Sequence, residues 1–310
     1  MQTPSTIHLI AHVYSTTRMI RILGTIFAGL LGLSFGSFLN VCLSRWPEGE
    51  SVVRPRSHCR NCDHELAWWE NVPVISWFAL RGRCRECHAR IGFRYPSVEL
   101  AVGALWAIET WDWSGDSFEH LLLVGFPLAG LGLISLKLAF YWILVALAFF
   151  DAENLWLPDR LTLSGIALGF TYIFAEMRLA HRFFIFNRGY LYAATYLLGG
   201  VLAAAALILL IRWIYWLIRR REGMGLGDAK LMALLAAWLG LPGALLAFGI
   251  GAVVGALTAL ALLAVPAARR NSESWAAIKL PFGTFLCVGG IVSGIWGQPI
   301  INAYLRWAGF

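Results

Sequence analysis

Charge is what this chain has least of: Asp, Glu, Lys and Arg together make up 14% of its 310 residues, against 59% hydrophobic. Soluble globular proteins carry about 25% charged residues. The deficit, with a mean hydropathy of +0.66, points away from water and into the bilayer. Other absences narrow the field. The glycine-rich hexapeptide 223–228 lacks the Gly-Lys-Ser/Thr ending that a Walker phosphate loop needs. Arg18 and Arg21 precede the first apolar run, but no small-residue cleavage site follows and the run exceeds a secretory h-region, so it reads as a retained helix. No serine stands in a nucleophile-base context suited to rhomboid-type chemistry. Cysteine is sparse as well, six in all, and four of the six fall in one polar stretch.

What remains is a succession of apolar runs, at 22–43, 100–108, 121–150, 161–175, 190–218, 229–239, 244–264 and 280–297. A membrane span needs about 20 apolar residues; several runs meet this, and the shorter ones borrow flanking polar positions. The expectation is an all-α polytopic membrane protein of about eight transmembrane helices with a small cytoplasmic zinc-knuckle module. The run at 121–150 is long for one span and contains Lys137, so it reads as a tilted helix with an extension or as two pieces. The domain expectation is 1–43 as N-terminal segment and first helix, 44–97 as the cysteine module, and 98–310 as the membrane-embedded remainder. Nine arginines between Arg45 and Arg94, with Arg219–Arg221 and Arg269–Arg270, mark cytoplasmic loops under the positive-inside rule, although Arg178, Arg182 and Arg188 then fall outside against it. The net charge of +7 is dispersed between apolar runs, which argues against a nucleic-acid partner.

The cysteines read Cys59-Arg60-Asn61-Cys62 and Cys84-Arg85-Glu86-Cys87, two C-x2-C pairs 21 residues apart. Each pair can place two thiolates on one ion, and together they complete the tetrahedral sulfur shell of a closed structural zinc site. Disulfides and a redox pair are the rivals; a cytoplasmic placement keeps thiols reduced, and a redox C-x-x-C normally comes singly. His58, His64 and His88 are spare ligands beside a sufficient set of four. Cys42 and Cys287 lie in apolar runs and read as small packing residues. The module is too small for a self-sufficient core, so metal would supply folding energy directly.

Two aspartates at membrane depth carry the chemistry. Asp151 closes the third apolar run with no capping explanation, whereas Asp159 follows Pro158 at the start of the next helix and has one. Asp228 closes Gly223-Met224-Gly225-Leu226-Gly227-Asp228 immediately before another run. An ionisable side chain at such a place is costly and reads as functional by default. Two carboxylates brought together suggest an acid/base pair sharing a proton. Gly223, Gly225 and Gly227 relieve bulk and permit positive φ, so that backbone can approach a bound peptide; a plain turn is the competing reading. Gly29, Gly32 and Gly36 read as a helix-packing face. Ser37 and Asn40 either bond between helices or line a cavity.

These motifs, in order, resemble those of bacterial prepilin peptidases, the GxGD aspartyl proteases that process type IV prepilins and type II secretion pseudopilins. The similarity runs from about 32 to 283: Gly36-Ser37-Phe38-Leu39-Asn40, Arg56-Ser57-His58-Cys59, Glu70-Asn71-Val72-Pro73, Arg81-Gly82-Arg83-Cys84, Tyr95-Pro96-Ser97-Val98-Glu99-Leu100, Asp151 with Pro158-Asp159, the hexapeptide, and Pro281-Phe282-Gly283. The resemblance implies Asp151 and Asp228 as the catalytic pair at the cytoplasmic membrane face of the bacterial inner membrane. It also implies N-methylation of the newly exposed N-terminal residue with S-adenosylmethionine as donor, by residues the sequence does not identify. The implied substrate is a short basic leader followed by an apolar helix. Glu153 and Thr284 stand where many members carry Asp and Pro. The alternatives are a presenilin- or signal-peptide-peptidase-like protease, disfavoured by the cysteine module, and a non-enzymatic zinc-knuckle scaffold or transporter.

Overall fold

In the computed structural model, residues 4–123, 127–183, 189–220, 225–264 and 280–309 are described. They form helices α1 (Pro4–Arg45), α2 (Ile75–Ala79), α3 (Arg94–Leu123), α4 (Pro127–Asn154), α5 (Asp159–Phe183), α6 (Gly189–Arg219), α7 (Leu226–Ala264) and α8 (Phe282–Trp307), with a 3-10 turn at Trp68–Asn71. Among the described residues there is no β-ladder, only isolated bridges His58–Glu65 and Arg83–Arg90. Among the described residues five segments are long and apolar enough to cross a membrane: Arg18–Arg45, Leu128–Asn154, Ala194–Arg219, Leu226–Leu262 and Phe282–Trp307. α3 and α5 are not among them, because Glu99, Glu109 and Asp112 interrupt the first, and Arg160, Glu176 and Arg178 the second. The run at 121–150 resolves into the end of α3 and most of α4.

The chain divides into two compact units, Met1–Trp142 and Ile143–Phe310. In the first, α1 lies on α3 through the anticipated glycines. A Cβ on Gly32 would stand 2.9 Å from the Cα of Gly103, and one on Gly36 2.6 Å from the Cα of Glu99. Only a missing side chain lets the two backbones come so close. Asn40 Nδ2 donates to the Tyr95 carbonyl at 3.0 Å, the first of the two roles that the sequence left open for it. Lys137, the odd residue of its apolar run, is explained by Glu109: Nζ lies 2.9 Å from a carboxylate only 6% exposed. Pairing is what makes a charge at such a position tolerable.

In the second unit, α7 is flanked by α5, α6 and α8. Its two apolar runs form two helical segments, separated at Gly240 (φ 68°, ψ 173°) two residues before Pro242. Proline cannot donate the next helical bond and glycine adopts the left-handed turn, so the kink has both of its usual causes. Ser293 of α8 donates to the Gly243 carbonyl at 2.8 Å just past the break. Below it, Leu231 through Trp238 are buried without interruption. Trp238 Nε1 reaches the Gly165 carbonyl of α5 at 2.8 Å, and Gly169 leaves room for its indole, 2.8 Å from where a Cβ would stand.

Candidate active site and metal centre

Asp151 sits in the last turn of α4, the negative end of that helix and an unfavourable place for a carboxylate. The compensation comes from α8. Its first four N–H groups have no intrahelical acceptor, and Asp151 Oδ2 accepts one of them, Thr284 N–H, at 2.7 Å. The Gly283 N–H bonds the same carboxyl group. Thr284 Oγ1 lies 3.2 Å from the same oxygen and 3.0 Å from the Ala148 carbonyl. Gly283 is required by this approach, since a Cβ there would stand 2.9 Å from Oδ2. α4 ends at Leu155, whose φ of 50° turns the chain and whose N–H closes on the Asp151 carbonyl at 2.9 Å, an αL termination.

Asp228 lies in the first turn of α7, where helix polarity favours it. Its Oδ2 accepts the Gly225 N–H at 3.3 Å, the backward reach of a capping box. Asp151 and Asp228 are 6% and 7% exposed and interact electrostatically with one another. Leu157 links their surroundings: its Cδ1 lies 3.0 Å from the Cβ position of Gly227 and 3.2 Å from that of Gly283. The buried thiol of Cys287, one turn beyond Thr284, is within the field of both carboxylates.

The glycines of the hexapeptide need correction in one respect. Neither Gly225 nor Gly227 has positive φ; Gly227 is small because Leu157 packs on it, whereas a Cβ on Gly225 would make only ordinary contacts at 3.7 Å. Gly223 lies outside the described residues. Asp159 begins α5, where helix polarity favours an acid, and pairs with Lys230 Nζ at 2.6 Å, so it stands apart from the two buried carboxylates. Thr284 is the site residue that motif reading passed over. It stood out only as a departure, with nothing in its surroundings to signal contact with a carboxylate 133 positions away.

In the first unit the four cysteines converge. All four Sγ atoms lie within 4.8 Å of one another, with Cys59–Cys87 at 3.8 Å and Cys62–Cys84 at 3.9 Å. Sulfurs about 2.3 Å from a tetrahedral zinc are about 3.8 Å apart, so the donor set fits that ion, whereas a disulfide requires about 2.0 Å. The two knuckles repeat at an offset of 25 residues. Cys59 N–H bonds His64 O and Cys84 N–H bonds Ala89 O, both at 2.9 Å, and Asp63 and His88 hold φ of 57° and 55°. The Ala89 N–H and the Asn61 amide hold the Cys87 thiol down to about 6. At Cys62 the His64 N–H acts in the same direction, but desolvation and the three neighbouring sulfurs outweigh it and push the thiol up to about 12. His64 is engaged elsewhere, with Nε2 3.1 Å from Glu70, and His58 Nδ1 lies 3.0 Å from the Arg56 carbonyl. Neither belongs to the four-sulfur cluster.

A cavity of 340 Å³ opens beside the module, lined by Ser34, Ser37, Arg45, Val53, Arg56 and Asn71 among others. Ser37 also bonds the buried Glu99, which accepts the Val74 N–H at 2.7 Å. Val74 holds φ of 62°, a costly conformation for a β-branched residue.

Comparison with known proteins gives concordant matches. The family described as Bacterial Peptidase A24 N-terminal domain matches residues 30–113, and the Type IV leader peptidase family matches 138–260. A prepilin leader peptidase/N-methyltransferase of Stutzerimonas stutzeri is 32% identical, over 90% of this chain and 93% of its own length. The protein of that name from Pseudomonas aeruginosa is 34% identical, over 91% and 93%, and that from Myxococcus xanthus 37%, over 76% and 63%. No solved structure matches.

Proposed function

Because the chain belongs to the type IV leader peptidase family, we propose that it removes the short basic leader of type IV prepilins or type II secretion pseudopilins with Asp151 and Asp228. The observation that carries this reading is the pair itself: two buried carboxylates, one from the end of α4 and one from the start of α7, whose neighbouring glycines Gly283 and Gly227 both pack on Leu157. One carboxylate, ionised, takes a proton from water; the other, protonated, donates to the scissile carbonyl and then to the leaving amine. Asp151→Asn and Asp228→Asn keep the shape and lose the titrating proton. Each is expected to lower cleavage at least about 100-fold, scored by mass on a purified prepilin, with folded protein retained. Near-normal processing by either variant would sink the assignment.

The relatives' names include a second activity, and we assign N-methylation of the new N-terminus to this chain as well. S-adenosylmethionine supplies the methyl group in such a reaction. The cavity beside the cysteine module has a volume suited to a small ligand, and Arg56 offers a guanidinium group for its carboxylate, while Arg45 is held against the Ser51 and Arg56 carbonyls. The four cysteines would hold a structural zinc. The span count proposed is eight, taking α3, α5 and both parts of α7 as membrane segments, with the active site and the 44–97 module facing the cytoplasm of a bacterial inner membrane.

A further inference from the structure

Thr284 has one hydroxyl proton and two oxygens within its reach. Oγ1 stands 3.0 Å from the Ala148 carbonyl and 3.2 Å from Asp151 Oδ2, and a single O–H donates to one of them at a time. The carbonyl only accepts, while the carboxyl accepts when ionised and carries a donor when protonated. Each protonation state of Asp151 therefore has its own complete arrangement. With Asp151 ionised, the hydroxyl points at Oδ2 beside the Thr284 N–H, which donates to the same oxygen at 2.7 Å. With Asp151 protonated on Oδ2, the hydroxyl turns to Ala148 and its lone pair accepts the acid's hydrogen.

We propose that Thr284 is a positioning residue that keeps Asp151 in one orientation through both halves of the reaction by reversing its hydroxyl as the proton arrives and leaves. The inference rests on the reading of Asp151 as one of the two catalytic carboxylates. No proton is consumed by the reversal: Thr284 keeps its own, and the transferred one passes from water through the aspartate pair to the leaving amine, as already described. The backbone N–H serves both states without moving, because it is fixed in the first turn of α8. The hydroxyl is the adjustable partner. Its benefit belongs to the chemical step, when a carboxylate that rotated on changing protonation would lose its alignment with water and peptide.

Thr284→Val removes the hydroxyl while keeping the β-branch and the N–H; Thr284→Ser restores a hydroxyl without the methyl. Steady-state cleavage of a detergent-solubilised type IV prepilin by the full-length protein separates the cases, with thermal midpoints measured on the same preparations. The valine variant is expected to lose about 10- to 100-fold in kcat, the range set by one hydrogen bond to a charged group, with KM within about twofold. The serine variant is expected to return kcat to within about threefold of the parent. Equal losses by both variants in step with a lowered midpoint would reduce Thr284 to packing and overturn the proposal, as would a valine variant with unchanged kcat. Asp151→Asn is run beside them: if it cleaves normally, the catalytic assignment fails first, whereas an inactive Asp151→Asn with a fully active Thr284→Val removes this inference alone.

Discussion

Lys230 lies two residues beyond Asp228, and its Nζ is 2.6 Å from Asp159 Oδ1, with side chains 38% and 60% exposed. A pair this open to solvent contributes about 0.2–1 kcal/mol, far less than a catalytic proton transfer. Asp159→Asn and Lys230→Met are therefore each expected to cost less than about fivefold in cleavage rate, with the double variant no worse than either single. Initial rates on one prepilin substrate check both points, and a loss comparable to that of Asp151→Asn would promote Asp159 into the machinery. At this scale the sequence was informative in proportion to how local the reason was. Asp151 stood out because no cap explained it, and Asp228 because its hexapeptide announces it. Thr284 was opaque, since its partner lies on a helix distant in sequence. The left-handed backbone of Asp63, His88 and Val74 was equally hidden, because none of these residues is a glycine.

Between elements, the deciding quantity is how near two backbones come. A Cβ on Gly289 of α8 would meet the Ala247 carbonyl of α7 at 2.1 Å, while one on Gly249 meets nothing within 4 Å. Gly289→Ala must push the helices apart and is expected to cost about 1–3 kcal/mol. Gly249→Ala relieves only chain entropy and is expected to be neutral or stabilising by up to about 1 kcal/mol. Thermal midpoints of the purified variants give the comparison, and equal shifts would contradict the α7–α8 packing. In the cysteine module the corresponding constraint is the left-handed residue of each knuckle. His88→Gly is expected to retain zinc against a competing chelator at least as well as the parent, and His88→Val to lose it sooner, because a β-branched residue at positive φ is strained. Cys84→Ser is expected to lose the metal outright and the stability of the module with it. The helices themselves were largely legible as apolar runs. The separate runs 229–239 and 244–264 correspond to the two parts of α7 on either side of Gly240, where the helical backbone breaks.

For the molecule as a whole, the question is whether two chemistries can be separated. The carboxylates lie in the unit Ile143–Phe310 and the cysteines in Met1–Trp142. Asp151→Asn supplied with pre-cleaved pilin and S-adenosylmethionine is expected to add a methyl group at close to the parental rate, read by mass, although it cannot generate that substrate itself. Failure by a folded variant would mean that both reactions draw on one site. The paired C-x2-C spacing announced the clustering of the four cysteines from sequence alone.

The stretch of α7 from Leu231 to Trp238 has a consequence when viewed from the lipid. Hydropathy counts it as membrane helix, yet every one of its side chains is buried, so the shaft that leads to Asp228 is solvated by protein alone. A lipid-soluble carbene probe should label Phe27 of α1 and Leu202 and Ile218 of α6, which are 67%, 61% and 72% exposed, and leave 231–238 blank. Such a stretch has no annular lipid of its own. Changes in acyl-chain length or headgroup would reach the aspartate only through the neighbours that enclose it.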